Sequence, residues 1–157
     1  MKKIVIFASG SGTNAENIIK HFKSTNTGTV VSVFTNNPNA KVIERAKNFQ
    51  IPTEIFSKEE LFSGKVLQKI LAIAPDLIVL AGFLLKLPKT IIESYPNSII
   101  NIHPALLPKY GGKGMYGMNV HKAIVENKEK ETGITIHYVN ENYDEGNIIF
   151  QKKVTVL

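Results

Sequence analysis

Apolar and polar positions along the chain predict strands and helices that follow one another in turn. Residues 4–8 form an apolar run of strand length, and apolar residues then recur at helical spacing in the segment after Asn14. The same patterns predict strands over residues 29–35, 53–56, 77–81, 98–102, 133–139 and 147–156, and helices over residues 40–49, 57–74, 88–94 and 120–127. Strands that alternate with helices indicate an α/β domain with a mostly parallel sheet, helices on both of its faces, and last strands that are partly antiparallel.

Two local signals sharpen this prediction. Ser57 and Glu60 have the spacing of a capping box, which predicts a helix from that point to about Ala74. The segment 111–119 is rich in glycine and has no periodicity, so it is expected to be a loop.

Polar clusters follow the predicted strands at their carboxyl ends, in segments 9–14, 83–87 and 101–103. Ligands of open α/β sheets bind beyond the carboxyl ends of the strands, where the strand order reverses. These clusters are therefore the first candidates for a functional site.

Composition limits the class of protein. The chain has 157 residues, 43% of them hydrophobic, which is typical of one globular domain over residues 1–157. No run of 18 apolar residues is present, and the first apolar run meets a glycine-rich loop, so we expect neither a membrane partner nor a signal peptide. Without cysteine and without closely spaced histidines a metal site is unsupported, and the cytoplasm is the expected location.

The formal net charge is +6, carried almost entirely by scattered lysines, with Arg45 as the one arginine. A lysine-rich solvated surface explains this charge, and so does a mild attraction for phosphorylated or polycarboxylate ligands. The lysines do not cluster as they do in a nucleic-acid site, so we expect no nucleic-acid partner.

The first chemical motif is Ser-Gly-Ser-Gly-Thr-Asn over residues 9–14, between a strand and a helix. Glycines allow close backbone approach, and the free N–H groups of a first helical turn attract an anion, so Gly12, Thr13 and Asn14 are candidates for phosphate binding. A tight turn capped by Thr13 or Asn14 is the alternative. The motif lacks the Gly-Lys-Ser/Thr ending of a P-loop and the third glycine of a dinucleotide fingerprint.

The second motif is Asn-Ile-His-Pro over residues 101–104. Alternation along a strand places Asn101 and His103 on one face, where two buried polar side chains are costly unless they have a role. An amide can hold a developing oxyanion and an imidazole can move a proton near neutral pH. A structural pair that satisfies loop backbone explains the spacing equally well.

The third motif covers residues 137–146 and is acidic and turn-rich, between two predicted strands. A carboxylate from this turn could approach His103 and hold the imidazolium, but physical grounds alone do not choose among Glu141, Asp144 and Glu145. A solvated acidic loop is the commoner reading of such a run. His137 precedes the turn in an alternating strand, where a structural histidine is expected.

These motifs together resemble the folate-dependent formyltransferases. The segments 9–14, 80–83, 101–108 and 144–146 appear in the order of that family and near its spacing, over the whole chain. Asn-Ile-His-Pro-Ala-Leu-Leu-Pro is specific for folate-dependent formyltransferases as a class. Ser-Gly-Ser-Gly-Thr-Asn resembles the corresponding motif of the family that formylates glycinamide ribonucleotide in purine biosynthesis. The resemblance implies a Rossmann-like formyltransferase fold.

The resemblance also implies a role for each matching residue. Asn101, His103 and Asp144 correspond to the catalytic residues, and Gly12, Thr13 and Asn14 to the residues that hold the substrate phosphate. Folate-binding positions correspond to Lys58, Leu84, Leu85, Lys86, Leu87, Asn101, Val139 and Asn140. The segment 139–144 is expected to close over the pterin ring.

The implied reaction is direct formyl transfer from the co-substrate 10-formyltetrahydrofolate to the amine of glycinamide ribonucleotide. Asn101 and protonated His103 would stabilise the tetrahedral oxyanion, while Asp144 would orient His103. The alternatives are another folate-dependent formyltransferase, a formyltetrahydrofolate deformylase, or a truncated domain that binds phosphate or folate without turnover. The last alternative arises because the family continues for some tens of residues beyond a point corresponding to Leu157.

Overall fold

The structure is a computed structural model that describes residues 1–142 and 144–157. The chain divides into two compact units, residues 1–99 and residues 100–157. Its helices and strands are, in chain order, β1 Lys2–Phe7, α1 Thr13–Thr25, β2 Gly28–Thr35, α2 Lys41–Asn48, β3 Thr53–Ile55, α3 Lys58–Ser63, α4 Lys65–Ile73, β4 Leu77–Ala81, α5 Lys89–Ser94, β5 Ile99–His103, α6 Met118–Glu126, β6 Glu131–Tyr138 and β7 Ile148–Thr155.

The first unit is built on parallel strands in the order β3-β2-β1-β4. Residues 4–7 of β1 are each at most 2% exposed. Because neighbouring residues of a strand point to opposite faces, both faces of this sheet are covered, as parallel sheets require. Aromatic rings extend the core, since Phe7 stacks on Phe34 with centroids 5.0 Å apart.

Gly64 interrupts the helix that the sequence predicts over residues 57–74. Its φ of 98° lies in the left-handed region, where glycine is favoured, so α3 ends there and α4 begins. The predicted capping box is confirmed, because the Glu60 N–H donates to the Ser57 Oγ and the Ser57 N–H donates to the Glu60 Oε1, each at 3.1 Å. The start of this helix was therefore predictable, while its continuity was predicted wrongly.

The second unit contains the antiparallel strands β5, β6 and β7 in that order, with β6 pairing both neighbours. Its apolar core joins Val120 and Ile124 of α6 to Ala105, in the turn after β5. Helix α6 starts at Met118, so the predicted loop over residues 111–119 is wrong in its last two positions. The prediction of a mostly parallel α/β sheet whose last strands are antiparallel is confirmed.

Thr135 of β6 fixes the turn that follows β5. Its hydroxyl is fully buried, donates to the Ala105 carbonyl at 2.6 Å and accepts from the Leu107 N–H at 3.1 Å. The Gln151 side chain on β7 donates to the same hydroxyl and to the Leu107 carbonyl, each at 3.0 Å. The chain just beyond His103 is thus held by side chains of two neighbouring strands.

A membrane span was not expected from the sequence. Among residues 1–142 and 144–157, no helix combines the length and the apolar character needed to cross a bilayer.

The close pairing of β6 and β7 gives the first testable prediction. A Cβ at Gly133 would overlap the Lys152 carbonyl oxygen of β7 and lie 2.9 Å from Leu106 Cδ2. We expect Gly133→Ala to lower the free energy of unfolding by about 2 kcal/mol or more, because backbone must move to admit the methyl group. Urea denaturation followed by circular dichroism measures this change.

Gly10→Ala is the matched control, because a Cβ at Gly10 meets no atom within 4 Å and its φ is not positive. We expect this control to change the free energy of unfolding by less than about 1 kcal/mol. Equal stability of the two variants would contradict the packing described for β6.

Candidate active site

The glycine loop of the first unit joins β1 to α1 through a left-handed residue. Gly12 precedes α1 with a φ of 75°, and a Cβ there would lie 2.8 Å from the Cα of Val42. Gly12 is therefore needed both for its own backbone conformation and for the close approach of α2. This accounts for one glycine of the motif without any ligand.

The first turn of α1 is open to an anion. No side chain caps this helix among the described residues, and Thr13 and Asn14 are exposed. The alternative of a turn capped by the side chain of Thr13 or Asn14 is therefore not observed. Free N–H groups at the start of a 13-residue helix, together with the helix dipole, favour a bound phosphate or carboxylate.

Arg45 supports this loop, a role that the sequence analysis missed. Its Nε donates to the Ser11 carbonyl at 2.6 Å, and its guanidinium pairs with Glu16 in the first turn of α1. The hydrogen bond from Arg45 holds the pKa of the Glu16 carboxyl below its usual range, although burial acts in the opposite direction. Glu16 carries a charge that would oppose an anion, and Arg45 offsets it.

Ser9 ties the glycine loop to the segment after β4. Its hydroxyl donates to Asn36 Oδ1 at 2.7 Å and accepts from the Leu84 N–H at 3.0 Å. Phe83 is anchored in the aromatic core, with its ring 5.2 Å from that of Phe7 in an edge-on contact. The predicted phosphate segment and the predicted folate segment 84–87 therefore lie side by side in the first unit.

The predicted folate residues differ in accessibility. Leu84 is 46% exposed and Leu87 is buried. Leu85 is half-buried, and Lys86 and Lys58 are exposed, the latter at the first residue of α3. The exposed Leu84 gives the segment an apolar surface that a planar ring could contact.

Val139 and Asn140 follow β6 in the second unit. Val139 is half-buried and Asn140 is exposed, with its Oδ1 accepting from the Asn142 N–H at 2.9 Å. Both belong to the segment 139–144, which the sequence predicts to close over the pterin. Tyr143 of that segment lies outside the described residues.

Asn101 and His103 point from one face of β5 towards the same atom. Asn101 Nδ2 and His103 Nδ1 each lie 3.4 Å from Asp144 Oδ1. His103 is only 3% exposed and Asn101 is half-buried. The structure thus brings together the three residues predicted as catalytic.

Asp144 is the carboxylate that the family resemblance indicates and that the residue pattern alone could not choose. Its Oδ2 accepts from the Gly112 N–H at 2.9 Å, and its Oδ1 lies 3.5 Å from His137 Nε2. Burial raises the pKa of the Asp144 carboxyl, but the hydrogen bond with His137, the Gly112 N–H and the charges of His103 and His137 outweigh burial. The pKa of Asp144 is therefore lowered, and the group is an anion at neutral pH.

His137 belongs to this cluster, although the sequence analysis gave it only a structural role. It is 2% exposed, and its Nδ1 donates to the Tyr138 carbonyl at 2.9 Å. In the neutral ring Nε2 is then an acceptor, and it lies 3.1 Å from Asn101 Nδ2. In the charged ring Nε2 carries a hydrogen and can donate to Asp144 Oδ1. The partner of Nε2 is therefore Asn101 in the neutral ring and Asp144 in the charged ring.

Strand pairing brings His137 into the cluster, because it places His137 directly opposite Asn101 in the β5–β6 ladder. Alternation along one strand does not reveal this register, so sequence reasoning about β6 by itself missed the contact.

The arrangement suits stabilisation of a negative oxygen. The Asn101 amide and, when protonated, the His103 imidazole direct N–H groups at one oxygen of Asp144 inside a largely buried cluster, where such donors have their strongest effect on a negative oxygen bound beside them. An anion beside the imidazole can orient it and take up a proton. Over the part of the chain that the structure describes, no group of three histidine or carboxylate side chains could hold a metal ion.

The lowered pKa of Asp144 predicts how stability depends on pH. A carboxyl whose pKa is lowered on folding stabilises the protein above its ordinary value of 3.8, and this stabilisation is lost as the pH falls through the lowered pKa. Asp144→Asn should therefore be less stable than the parent chain at about pH 5, and the difference should shrink towards about pH 2. Urea denaturation at both pH values measures it.

The matched control is Glu145→Gln, which neutralises the exposed neighbouring carboxylate. We expect a small effect on the free energy of unfolding that changes little over this pH range. A stability difference for Asp144→Asn that is equal at both pH values would contradict the described electrostatics.

Comparison with known proteins adds independent information. The model of the formyl transferase family matches residues 2–157. Over 163 residues the chain is 37% identical to the chloroplastic phosphoribosylglycinamide formyltransferase of Arabidopsis thaliana, covering 99% of this chain and 56% of that relative. Over 159 residues it is 36% identical to the phosphoribosylglycinamide formyltransferase of Escherichia coli, covering 98% of this chain and 73% of the relative.

A crystal structure of phosphoribosylglycinamide formyltransferase from Bacillus halodurans is similar in fold. It is 37% identical, with a TM-score of 0.88 over 99% of this chain and 81% of that one. The chain spans about half the length of its chloroplastic relatives, 56% for Arabidopsis thaliana and 52% for Vigna unguiculata. Because the family model matches residues 2–157 and the solved fold covers 99% of this chain, this chain belongs to the formyl transferase family.

Proposed function

We propose that the chain transfers a formyl group from 10-formyltetrahydrofolate to the amine of glycinamide ribonucleotide, a step of purine biosynthesis. The observation that carries this proposal is the convergence of Asn101 Nδ2 and His103 Nδ1 on one oxygen of the ionised Asp144, each at 3.4 Å, which places two donors and an anion together. The names of its formyl transferase relatives, which act on phosphoribosylglycinamide, supply the substrate.

The chemistry follows from these groups. The substrate amine attacks the formyl carbon, and the carbonyl oxygen acquires negative charge in a tetrahedral intermediate. Asn101 and protonated His103 donate to that oxygen, which stabilises it relative to the ground state. The intermediate then collapses as the bond from carbon to N10 of the folate breaks, the amine loses a proton, and N10 gains one.

Asp144 serves this step as an anion. Its lowered pKa keeps it ionised at neutral pH, so it can pair with a protonated His103 ring and can relay the proton that the amine loses. The short bond from the Gly112 N–H fixes one carboxylate oxygen and leaves the other towards Asn101 and His103.

Substrate binding uses the remaining predicted residues. Gly12, Thr13 and Asn14 would hold the substrate phosphate at the open first turn of α1, with Arg45 balancing the charge of Glu16. The folate would contact the positions Lys58, Leu84, Leu85, Lys86, Leu87, Asn101, Val139 and Asn140. Small-molecule substrates and a cytoplasmic location remain predictions from the sequence.

We expect Asn101→Ala and His103→Ala each to lower kcat by about a hundredfold or more, because each removes one donor to the oxyanion. The measurement is the absorbance change on deformylation of a 10-formyl folate in the presence of glycinamide ribonucleotide. His21→Ala, on the exposed face of α1, is the matched control and should keep normal turnover.

A reaction that omits the ribonucleotide separates the remaining possibilities. Deformylation that needs the ribonucleotide supports a transferase, and deformylation without it points to a hydrolase. Near-normal turnover by purified His103→Ala would remove the proposed role of His103. A folded chain without turnover would support the alternative of a domain that binds ligands only.

A further inference from the structure

The second nitrogen of His103 has a partner that the proposed reaction does not use. His103 Nε2 lies 2.7 Å from the backbone carbonyl oxygen of Tyr110. A carbonyl only accepts hydrogen bonds, so Nε2 must carry the hydrogen. This leaves Nδ1 as the nitrogen that faces Asp144 Oδ1, the same oxygen that Asn101 Nδ2 faces.

Tyr110 holds its carbonyl in place through an unusual backbone conformation. Its φ of 57° lies in the left-handed region, which is uncommon for a residue with a bulky side chain and costs free energy. Such a conformation persists only where the surrounding contacts determine it. The contacts of the Tyr110 side chain are therefore expected to matter for the position of its carbonyl.

The Tyr110 side chain has two kinds of contact. Its ring packs against the core of Ala105, Val120 and Ile124. Its hydroxyl donates to Glu129 Oε1 at 3.0 Å and also forms a hydrogen bond with the Asn127 side chain. Burial and the neighbouring Glu129 raise the pKa of the Tyr110 hydroxyl, so it stays a donor at neutral pH.

We propose that Tyr110 is a positioning residue for the transfer reaction, whose carbonyl fixes the His103 ring through Nε2 and whose hydrogen bond to Glu129 holds that carbonyl in place. The proposal rests on the proposed function, since it assigns Nδ1 of His103 to the oxyanion. The carbonyl at Nε2 acts as the orienting acceptor in a catalytic triad does, although it belongs to the backbone.

Two features make this assignment specific. The anchor, Glu129, lies in the turn between α6 and β6 and is linked to the imidazole through Tyr110, whose hydroxyl it accepts from and whose carbonyl meets His103 Nε2. The exposed Lys109 also pairs with Glu129, at 3.6 Å. An exposed ion pair of this kind contributes little to stability, so the hydrogen bond with Tyr110 is the contact of interest.

The first test uses ¹⁵N nuclear magnetic resonance of the histidine side chains at about pH 8, where an unperturbed imidazole is neutral. We expect His103 to carry its proton on Nε2, with slow exchange, in the parent chain. In Tyr110→Phe, which keeps the ring but loses the bond to Glu129, we expect that signal to broaden or shift. Tyr116→Phe, a 48% exposed tyrosine in the same loop, should leave it unchanged.

The second test is kinetic. We expect Tyr110→Phe and Glu129→Ala each to lower kcat by about tenfold with KM changed less than about twofold, since the loss concerns orientation and not binding. Glu129→Gln keeps an acceptor for the hydroxyl and should restore most of kcat. The double variant should be no slower than either single variant, because both act through one hydrogen bond.

Clear results would overturn the proposal. They are a parent His103 whose proton is on Nδ1 alone, or a folded Tyr110→Phe with an unchanged His103 signal and unchanged kcat. If Tyr110→Phe does not fold, Glu129→Ala answers the same question. The resonance experiment needs no turnover, so a parent chain that shows the Nε2 proton but no transfer would contradict the proposed function and leave the ring geometry established.

Discussion

The candidate active site depends on the contacts of one group, the carboxylate of Asp144. It lies in the turn between β6 and β7, yet it meets groups from β5, from β6 and from the loop that contains Gly112. A buried anion is costly unless hydrogen bonds and opposite charge compensate it, and here each compensating group is also a candidate for chemistry or positioning. The requirement to satisfy this one charge therefore aligns Asn101, His103 and His137.

Antiparallel pairing supplies the frame for that alignment. Asn101 stands opposite His137 in the β5–β6 ladder, and Thr135 opposite His103. Thr135 and Gln151 then hold the backbone of the turn just after His103 by hydrogen bonds. These polar side chains thus lie on one face of the strands and divide between fixing the backbone and facing Asp144.

Much of the fold could be predicted because it rests on local signals. Apolar runs, turn residues and the Ser57 capping box located most elements within a few residues of their observed ends. The break at Gly64 was missed, because a glycine in a helical pattern is often tolerated and only its left-handed conformation here ends the helix.

The candidate site was less predictable, for a physical reason. Alternation placed Asn101 and His103 on one face of β5, but the choice of Asp144 and the inclusion of His137 depend on strand register and on a long-range turn. The contact of the Tyr110 carbonyl with His103 and the pairing of Arg45 with Glu16 join residues that are distant or carry no motif. Such contacts follow from tertiary packing, and a pattern along one segment does not contain them.

Formyl transfer to the ribonucleotide amine is tested most directly by following a labelled formyl carbon to its product. The purified chain would be incubated with 10-[¹³C]formyltetrahydrofolate and glycinamide ribonucleotide, and the products followed by ¹³C nuclear magnetic resonance. We expect the label to appear as a formamide on the ribonucleotide amine. Label that appears only as formate would contradict it, because the converging donors would then serve attack by water and not by the amine.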